Sequence, residues 1–140
     1  MKRLVYIMAL AAMLGSCTLE TSDNGKLDGL WQLYSLDSLA TGTSADMRSS
    51  HVFWAVQCQL LEARSREMQV LFRFNNTGDS LLLSDPYINN RDLSDIKVTD
   101  AAMLAPLGIN NLGEHFGIKT LSSDKMVLEA PTLRLYFRKY

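Results

Sequence analysis

The chain has 140 residues, of which 47% are hydrophobic and 21% charged, and its formal net charge at pH 7 is −1. This length suits one domain with a substantial core. The near-neutral charge and the lack of a basic run argue against nucleic acid as a partner, and two cysteines are too few for a disulfide scaffold.

The first sixteen residues have the regions of a bacterial export signal. Lys2 and Arg3 give a positive start, and the uncharged apolar run 4–14 follows. A run of about eleven residues suits the hydrophobic part of a signal peptide and is well short of the roughly 20 needed to span a bilayer. We therefore predict that residues 1–16 are a signal peptide that is removed.

The segment ends in Leu14-Gly15-Ser16-Cys17, which resembles the lipobox of bacterial lipoproteins. The resemblance implies that the thiol of Cys17 forms a thioether to a membrane lipid and that Cys17 becomes the first mature residue. Several acyl chains on one residue anchor a protein stably, because each buried CH₂ contributes about 0.8 kcal/mol and one chain alone is marginal. We expect a lipid-anchored protein of the cell envelope, held in the outer membrane.

The residues after the anchor are polar and show no periodicity, so 17–26 is predicted to be the lipidated cysteine and a flexible tether. The domain then covers 27–140. With Cys17 lipidated, the mature chain keeps no second cysteine that can form a disulfide with Cys58. We interpret Cys58 as a small buried apolar residue.

The first strand of the domain is predicted over 27–36, with Trp31 near its beginning. The next regular stretch, 51–62, is ambiguous. Apolar residues, Trp54 among them, recur there at every second position, which is typical of a strand. A helix over 50–64 is the alternative, and we favour the strand because of the β-branched and aromatic content.

A β-hairpin is predicted in the middle of the chain. Apolar residues alternate along 68–74 and place Phe72 and Phe74 on one face. The polar cluster 75–79 is a strong turn signal, and the apolar run 80–84 follows it.

The long connection 85–113 is rich in residues that interrupt strands. A short helical turn is predicted near 100–105, with Asp100 as its N-cap and Pro106 just beyond. Long connections of this kind often cap one end of a barrel or carry function.

Further strands are predicted over 114–121, 126–128 and 133–138, joined by short turns. Seven or eight short strands at close spacing indicate an all-β fold, either an antiparallel barrel or a sandwich. A barrel of about eight strands has an interior just able to hold one small ligand.

Four features together resemble the lipocalin-like lipoproteins of Bacteroides-type bacteria, a family largely of uncharacterised function. They are the lipobox, Leu27-Asp28-Gly29-Leu30-Trp31, Ala105-Pro106-Leu107-Gly108-Ile109-Asn110, and the closing pattern Phe116-x-Ile118-x-x-Leu121, Met126-x-Leu128 and Leu133-x-Leu135-x-Phe137. The resemblance implies an up-and-down, lipocalin-like barrel. It also implies an arginine of the last strand, Arg134 or Arg138, packed over Trp31.

Patterns of catalytic and metal-binding chemistry are missing from the sequence. His51 and His115 have no metal-ligand spacing to a cysteine or to each other. There is no Gly-x-Ser-x-Gly nucleophile elbow and no glycine-rich phosphate loop. We therefore predict no catalytic residue, no metal site and no cofactor, and we do not expect an enzyme.

Two triplets, Asp37-Ser38-Leu39 and Asp79-Ser80-Leu81, resemble the acceptor of Bacteroides-type protein O-glycosylation. Both lie near predicted turns, which suits exposure. Ser38 and Ser80 are therefore candidate O-glycosylation sites.

Two hypotheses for function remain open. In the first, aromatic side chains line a cavity that binds a small apolar or amphipathic ligand; they are Trp31, Trp54, Phe72, Phe74 and Phe116. In the second, the same side chains fill a solid core, and the protein is an interaction or structural protein of the envelope. It then acts on a protein partner through its surface or through the connection 85–113.

Overall fold

A computed structural model describes residues 24–90, 92 and 94–140 of the protein. Short 3₁₀ turns cover Gly25–Leu27, Arg48–Ser50 and Ala101–Leu107. The strands of this part of the chain are β1 (Gly29–Ser38), β2 (Thr43–Asp46), β3 (Phe53–Gln57), β4 (Leu60–Arg64), β5 (Gln69–Asn76), β6 (Ser80–Ile88), β7 (Ile96–Lys97), β8 (Glu114–Leu121), β9 (Lys125–Glu129) and β10 (Leu133–Lys139).

Eight strands close into an antiparallel barrel in the order β1-β3-β4-β5-β6-β8-β9-β10, and β10 pairs with β1. In this closing pair Trp31 lies opposite Lys139 and Leu33 lies opposite Phe137. The two short strands are additions, since β2 pairs with the last part of β1 and β7 with the last part of β6. The predicted antiparallel barrel of about eight strands is confirmed, as is the helical turn near 100–105.

The two ends of the barrel differ in what covers them. We call the end at which β1 begins the lower end; the β3–β4, β5–β6 and β8–β9 turns lie there. At the other, upper end, β1 finishes and the connection between β7 and β8 crosses the barrel.

Alternating side chains of the strands fill the barrel. Trp31, Trp54, Phe72, Phe116 and Phe137 are the largest of the fully buried residues. The Trp54 ring centroid lies 4.7 Å from that of Phe137 and 5.7 Å from that of Phe116. Burying one large apolar side chain contributes about 1.5–3 kcal/mol, so this cluster dominates the stability of the fold.

The lower end is closed around Trp31. Its indole Nε1–H donates to the carbonyl of Leu27 at 2.8 Å. On the other side, the Lys139 ammonium lies 4.4 Å from the centre of the Trp31 ring and donates to the carbonyl of Asp28. Gly29 makes room for this ammonium, because a Cβ at Gly29 would lie 2.8 Å from Lys139 Nζ.

The expectation of an arginine over Trp31 is therefore wrong, since the cation there is Lys139. Arg138 instead donates to Gln32 Oε1 at 2.8 Å, and Arg134 forms a salt bridge with Glu129 at 2.9 Å. The alternation of β10 explains this, because residues 134 and 138 point away from the barrel interior, whereas 135, 137 and 139 point towards it.

The stretch 51–62 is extended, as favoured, but it is two strands with a tight turn at Cys58 and Gln59. Cys58 adopts a φ of +53° and is exposed, so its predicted burial is wrong. The turn shifts the alternation by one residue. Leu61 is buried as a result, and Leu60 lies outside with 43% exposure.

Two other boundaries differ from the sequence prediction. β6 does not stop at residue 84 but continues to Ile88 through an irregularity that includes Pro86. The folded region also begins earlier than residue 27, since Asn24 Nδ2 donates to the Cys58 carbonyl at 2.7 Å. Residues 24–26, predicted as tether, are thus part of the domain, whereas Cys17 lies outside the described residues.

Candidate functional site

Four of the five aromatic residues predicted to line a cavity lie in the packed interior. Trp31, Trp54, Phe72 and Phe116 each have 0% exposure. Phe74 is half-buried and packs against the core from the lower end of β5. Phe74 also lines an open cleft of about 750 Å³ at the lower end, together with Cys58 and Leu60.

The upper end of the barrel is filled by a segment of the long connection, residues 101–109, which we call the plug. Asp100 Oδ1 accepts a hydrogen bond from the backbone N–H of Ala102 at 3.0 Å and so caps its 3₁₀ helix, as predicted. The plug directs three fully buried side chains into the barrel: Leu104, Leu107 and Ile109.

One hydrogen bond links the plug to the aromatic core. Trp54 Nε1 donates to the carbonyl of Leu107 at 3.1 Å. The next residue, Gly108, has a φ of +86°, and a Cβ there would lie 3.2 Å from a Leu135 methyl group and 3.4 Å from one of Leu33. The backbone of the plug therefore lies directly on side chains of β1 and β10, where a larger residue would not fit.

A buried carboxylate holds the point at which the chain leaves the plug. Glu114, the first residue of β8, is 3% exposed, and its Oε2 accepts from Asn111 Nδ2 at 2.6 Å. Charge-assisted hydrogen bonds of this kind are among the stronger ones. They fix the end of the plug to the barrel wall.

The sequence prediction did not identify the plug side chains as occupants of the barrel. A signal was present, because Leu104 and Leu107 are three residues apart and a 3₁₀ helix has three residues per turn. Both side chains therefore lie on one face. The segment 105–110, which carried part of the family resemblance, forms the second half of the plug.

The outer wall carries two adjoining depressions. The charged cleft, of about 550 Å³, lies over β4 to β7 and is lined by Leu60, Arg73, Asp85, Tyr87, Asp95 and Lys97. The apolar groove, of about 280 Å³, is lined mainly by Ala55, Leu60 and Leu71. Leu60 borders both, so the two form one continuous surface.

Two further carboxylates at the upper end, unlike Glu114, lie close to solvent. Arg48 donates side-chain hydrogen bonds to Asp46 and lowers the pKa of that carboxyl to about 2. The hydroxyl of Ser44, 2.6 Å away, and that of Tyr136 lower the pKa of Asp37.

Other residues singled out in the sequence occupy unremarkable positions. Ser38 and Ser80 are half-buried at strand ends. His51 Nε2 lies 2.6 Å from Arg66 Nη2, and His115 is exposed. Among the described residues, no three side chains of His, Cys, Asp or Glu come together as a metal site.

No helix in the described part of the chain has the length and hydropathy of a membrane span.

A family profile described as "Lipocalin-like domain" matches residues 12–140. The fold is similar to that of a lipocalin-like protein from Bacteroides uniformis, with 21% identity, a TM-score of 0.63, and coverage of 83% of this chain and 100% of that one. It is also similar to an uncharacterized protein from Bacteroides eggerthii, with 19% identity, a TM-score of 0.58, and coverage of 81% and 98%. No curated protein matched.

Proposed function

The chain belongs to the lipocalin-like domain family, and on that basis we propose that it binds a small amphipathic ligand in the upper end of its barrel. We further propose that a lipid on Cys17 holds it to the outer membrane of the cell envelope. The barrel fold supports the first part, because lipocalin-like folds generally serve binding rather than catalysis. The lipobox residues support the second.

The observation that carries the proposal is the origin of the side chains at the upper end. Leu104, Leu107 and Ile109 come from a connection, and the barrel strands pair with one another without them. The plug can therefore move while the barrel stays closed. Its departure would open a space near the lower limit of the roughly 300–1,000 Å³ typical of small-molecule sites.

The walls of that space define the chemistry of the ligand. They are apolar, with Leu33 and Leu135 in contact range of the plug and Trp54 beside them. The Trp54 N–H now donates to the Leu107 carbonyl. A ligand that displaces the plug must replace that acceptor, because a buried donor without a partner is costly. The ligand therefore combines an apolar body with a carbonyl, carboxylate or hydroxyl oxygen.

The described part of the chain begins at the end of the barrel opposite the proposed site. Asn24, the first described residue after Cys17, lies at the lower end beside the β3–β4 turn. The plug covers the upper end. An anchored barrel would therefore present the plug away from the membrane, where a ligand from the aqueous phase can reach it.

The test of the plug site compares two identical truncations at opposite ends. Leu107→Ala weakens the plug and should tighten binding of dodecanoate about tenfold or more, since less of the binding energy is spent on displacing the plug. Leu27→Ala removes an equally buried leucine from the lower end and should leave the affinity unchanged. Titration calorimetry on the unlipidated mature chain (Cys17→Ser) gives the affinities.

Equal affinities in the two variants, or no dodecanoate binding in either, would contradict the plug site. The anchor is tested separately in a Bacteroides-type host. The wild-type chain should partition into the membrane fraction with a diacylglyceryl mass on Cys17, and Cys17→Ser should leave the membrane fraction.

A further inference from the structure

The charged cleft contains charges of both signs that do not neutralise one another. Arg73, Lys97, Asp85 and Asp95 all line it. Within the described residues, none of the four forms a salt bridge or a side-chain hydrogen bond. Two cations and two carboxylates thus surround one depression, and their hydrogen-bonding groups face solvent.

The backbone that shapes the cleft is irregular at this point. In the β5–β6 ladder, Leu71 lies opposite Tyr87 and Arg73 lies opposite Ser84, so β6 has one extra residue. Asp85, inside this bulge, has a φ of +52°, which few residues other than glycine adopt. Bulges often redirect side chains next to binding sites, and this one places Asp85 and Tyr87 in the cleft wall.

Pro86 lies within the bulge, a position that suits proline. Proline lacks the N–H that a regular ladder needs, so it is tolerated at bulges. Its carbonyl accepts from the backbone N–H of Val98 at 2.9 Å, which ties β6 to the chain after β7. Asp95 and Lys97 are thereby held on the far side of the cleft from Arg73.

The apolar groove continues the cleft along the outer wall. Leu60 lies opposite Arg73 in the β4–β5 ladder and borders both depressions. Its 43% exposure is unusual for a leucine within a strand of this barrel. Ala55 and Leu71 extend the apolar surface, and Gln57 and Glu62 also line the groove, with Glu62 paired to Arg64 at 3.7 Å.

We propose that this outer surface is a second binding site, for a single-chain zwitterionic amphiphile. Its headgroup lies in the charged cleft, where Arg73 and Lys97 are partners for its anionic part and Asp85 and Asp95 for its cationic part on either side of β6, and its chain lies along the groove beside Leu60. This site is independent of the plug site, since it shares no residue with it.

The mixture of charges decides the class of ligand. The carboxylate of a fatty acid would be attracted by Arg73 and Lys97 but repelled by the two carboxylates of the cleft. The ammonium of an alkylamine would be attracted by those carboxylates but repelled by the two cations. A zwitterion satisfies both pairs at once. The cleft volume of about 550 Å³ is within the usual range for a small-molecule site.

The test uses photo-crosslinking on the mature lipidated protein in phosphatidylcholine vesicles. The probe is a trace of lysophosphatidylethanolamine with a diazirine in its chain, and cross-linked peptides are mapped by mass spectrometry. We expect labels around Ala55, Leu60 and Leu71. Unlabelled lysophosphatidylethanolamine should compete about tenfold better than a fatty acid or an alkylamine of equal chain length.

Paired variants link the labelling to the charges. Arg73→Ala with Lys97→Ala, and separately Asp85→Asn with Asp95→Asn, should each reduce labelling about tenfold, since each exposed ion pair is worth up to about a factor of five. Asparagine tolerates the backbone of residue 85. The matched control, Lys119→Ala with Lys125→Ala on β8 and β9, removes two exposed charges elsewhere and should label like the wild type.

Several results would overturn the proposal: no labelling, labels spread evenly over the surface, equal competition by the fatty acid, or labelling insensitive to both charge variants. Labels confined to 101–109 would also overturn it while supporting the plug site. The two proposals can therefore fail separately.

Discussion

At the lower end of the barrel, Trp31 is enclosed by Leu27 and Lys139, which belong to the chain that enters β1 and to the strand that closes the barrel. At the upper end, the interior is filled by Leu107 and its neighbours, which belong to a connection. Opening the lower end would disrupt the β1–β10 pair, whereas opening the upper end need disturb no strand. If the plug is displaced as proposed, one fold combines a permanent closure with a removable one.

The comparison predicts the largest stability loss at the lower end. Trp31→Ala removes a large buried ring, its hydrogen bond to Leu27 and the contact with Lys139, and should lower the free energy of unfolding by about 4 kcal/mol. Leu107→Ala at the upper end should cost about 2–3 kcal/mol. Urea denaturation measures the free energy of unfolding of both variants. A larger loss for Leu107→Ala would contradict the assignment of the lower end as the permanent closure.

A smaller effect separates two glycines. Gly29 has a φ of +126° and faces Lys139 Nζ, whereas Gly42, in the turn after β1, has a φ of +68° and open space around its Cα. Gly29→Ala should cost about 2 kcal/mol and Gly42→Ala about 1 kcal/mol, because a φ of +126° is harder for alanine to adopt than one of +68° and only the first substitution also displaces the lysine. Thermal unfolding compares them. Equal losses would show that neither the backbone angle nor the lysine distinguishes the two positions.

The smallest effect concerns pH at the upper end. The pKa of Asp46 is about 2 in the folded protein against a usual 3.8. Because the folded value is lower, the contact with Arg48 stabilises the fold above about pH 4 and is lost as the pH falls towards 2. An NMR titration of the Asp46 carboxyl should give a midpoint near 2, rising in Arg48→Ala only part of the way to 3.8, because the backbone N–H of residue 48 still donates to Asp46 Oδ1. A midpoint unchanged by that substitution would assign the shift to another cause.

Alternation was sufficient to predict most of the barrel strands because they have one buried face, but it gave no signal for β2 and β7, which are exposed throughout. It located β5, with Val70 and Phe72 inside, and β10, with Leu135 and Phe137 inside. It failed at Cys58, since apolar residues continue at every second position through a turn that has no glycine, asparagine or proline. Sequence spacing alone cannot report the change of face that this turn produces.

The candidate sites were less predictable than the fold. The alternation of a strand places Lys139 on the same face as Leu135 and Phe137. The sequence therefore contained the information that Lys139 is the cation over Trp31, but we predicted an arginine there. The charged cleft was not available. It depends on the bulge at Asp85. Arg73 and Lys97 line one depression although they are 24 positions apart in sequence, because β5 and β7 both pair with β6.

The pairing of β1 with β10 has a kinetic consequence. Gln32 and Arg138, joined across it, are separated by 106 positions. Such distant partners raise the contact order. Folding of such proteins takes milliseconds to seconds, because the entropy cost of closing the long loop comes before the contacts that offset it. Until β10 arrives, one edge of β1 is unpaired and able to associate with other chains. We therefore expect barrel closure to be the slow step of folding and the interval in which aggregation competes with it.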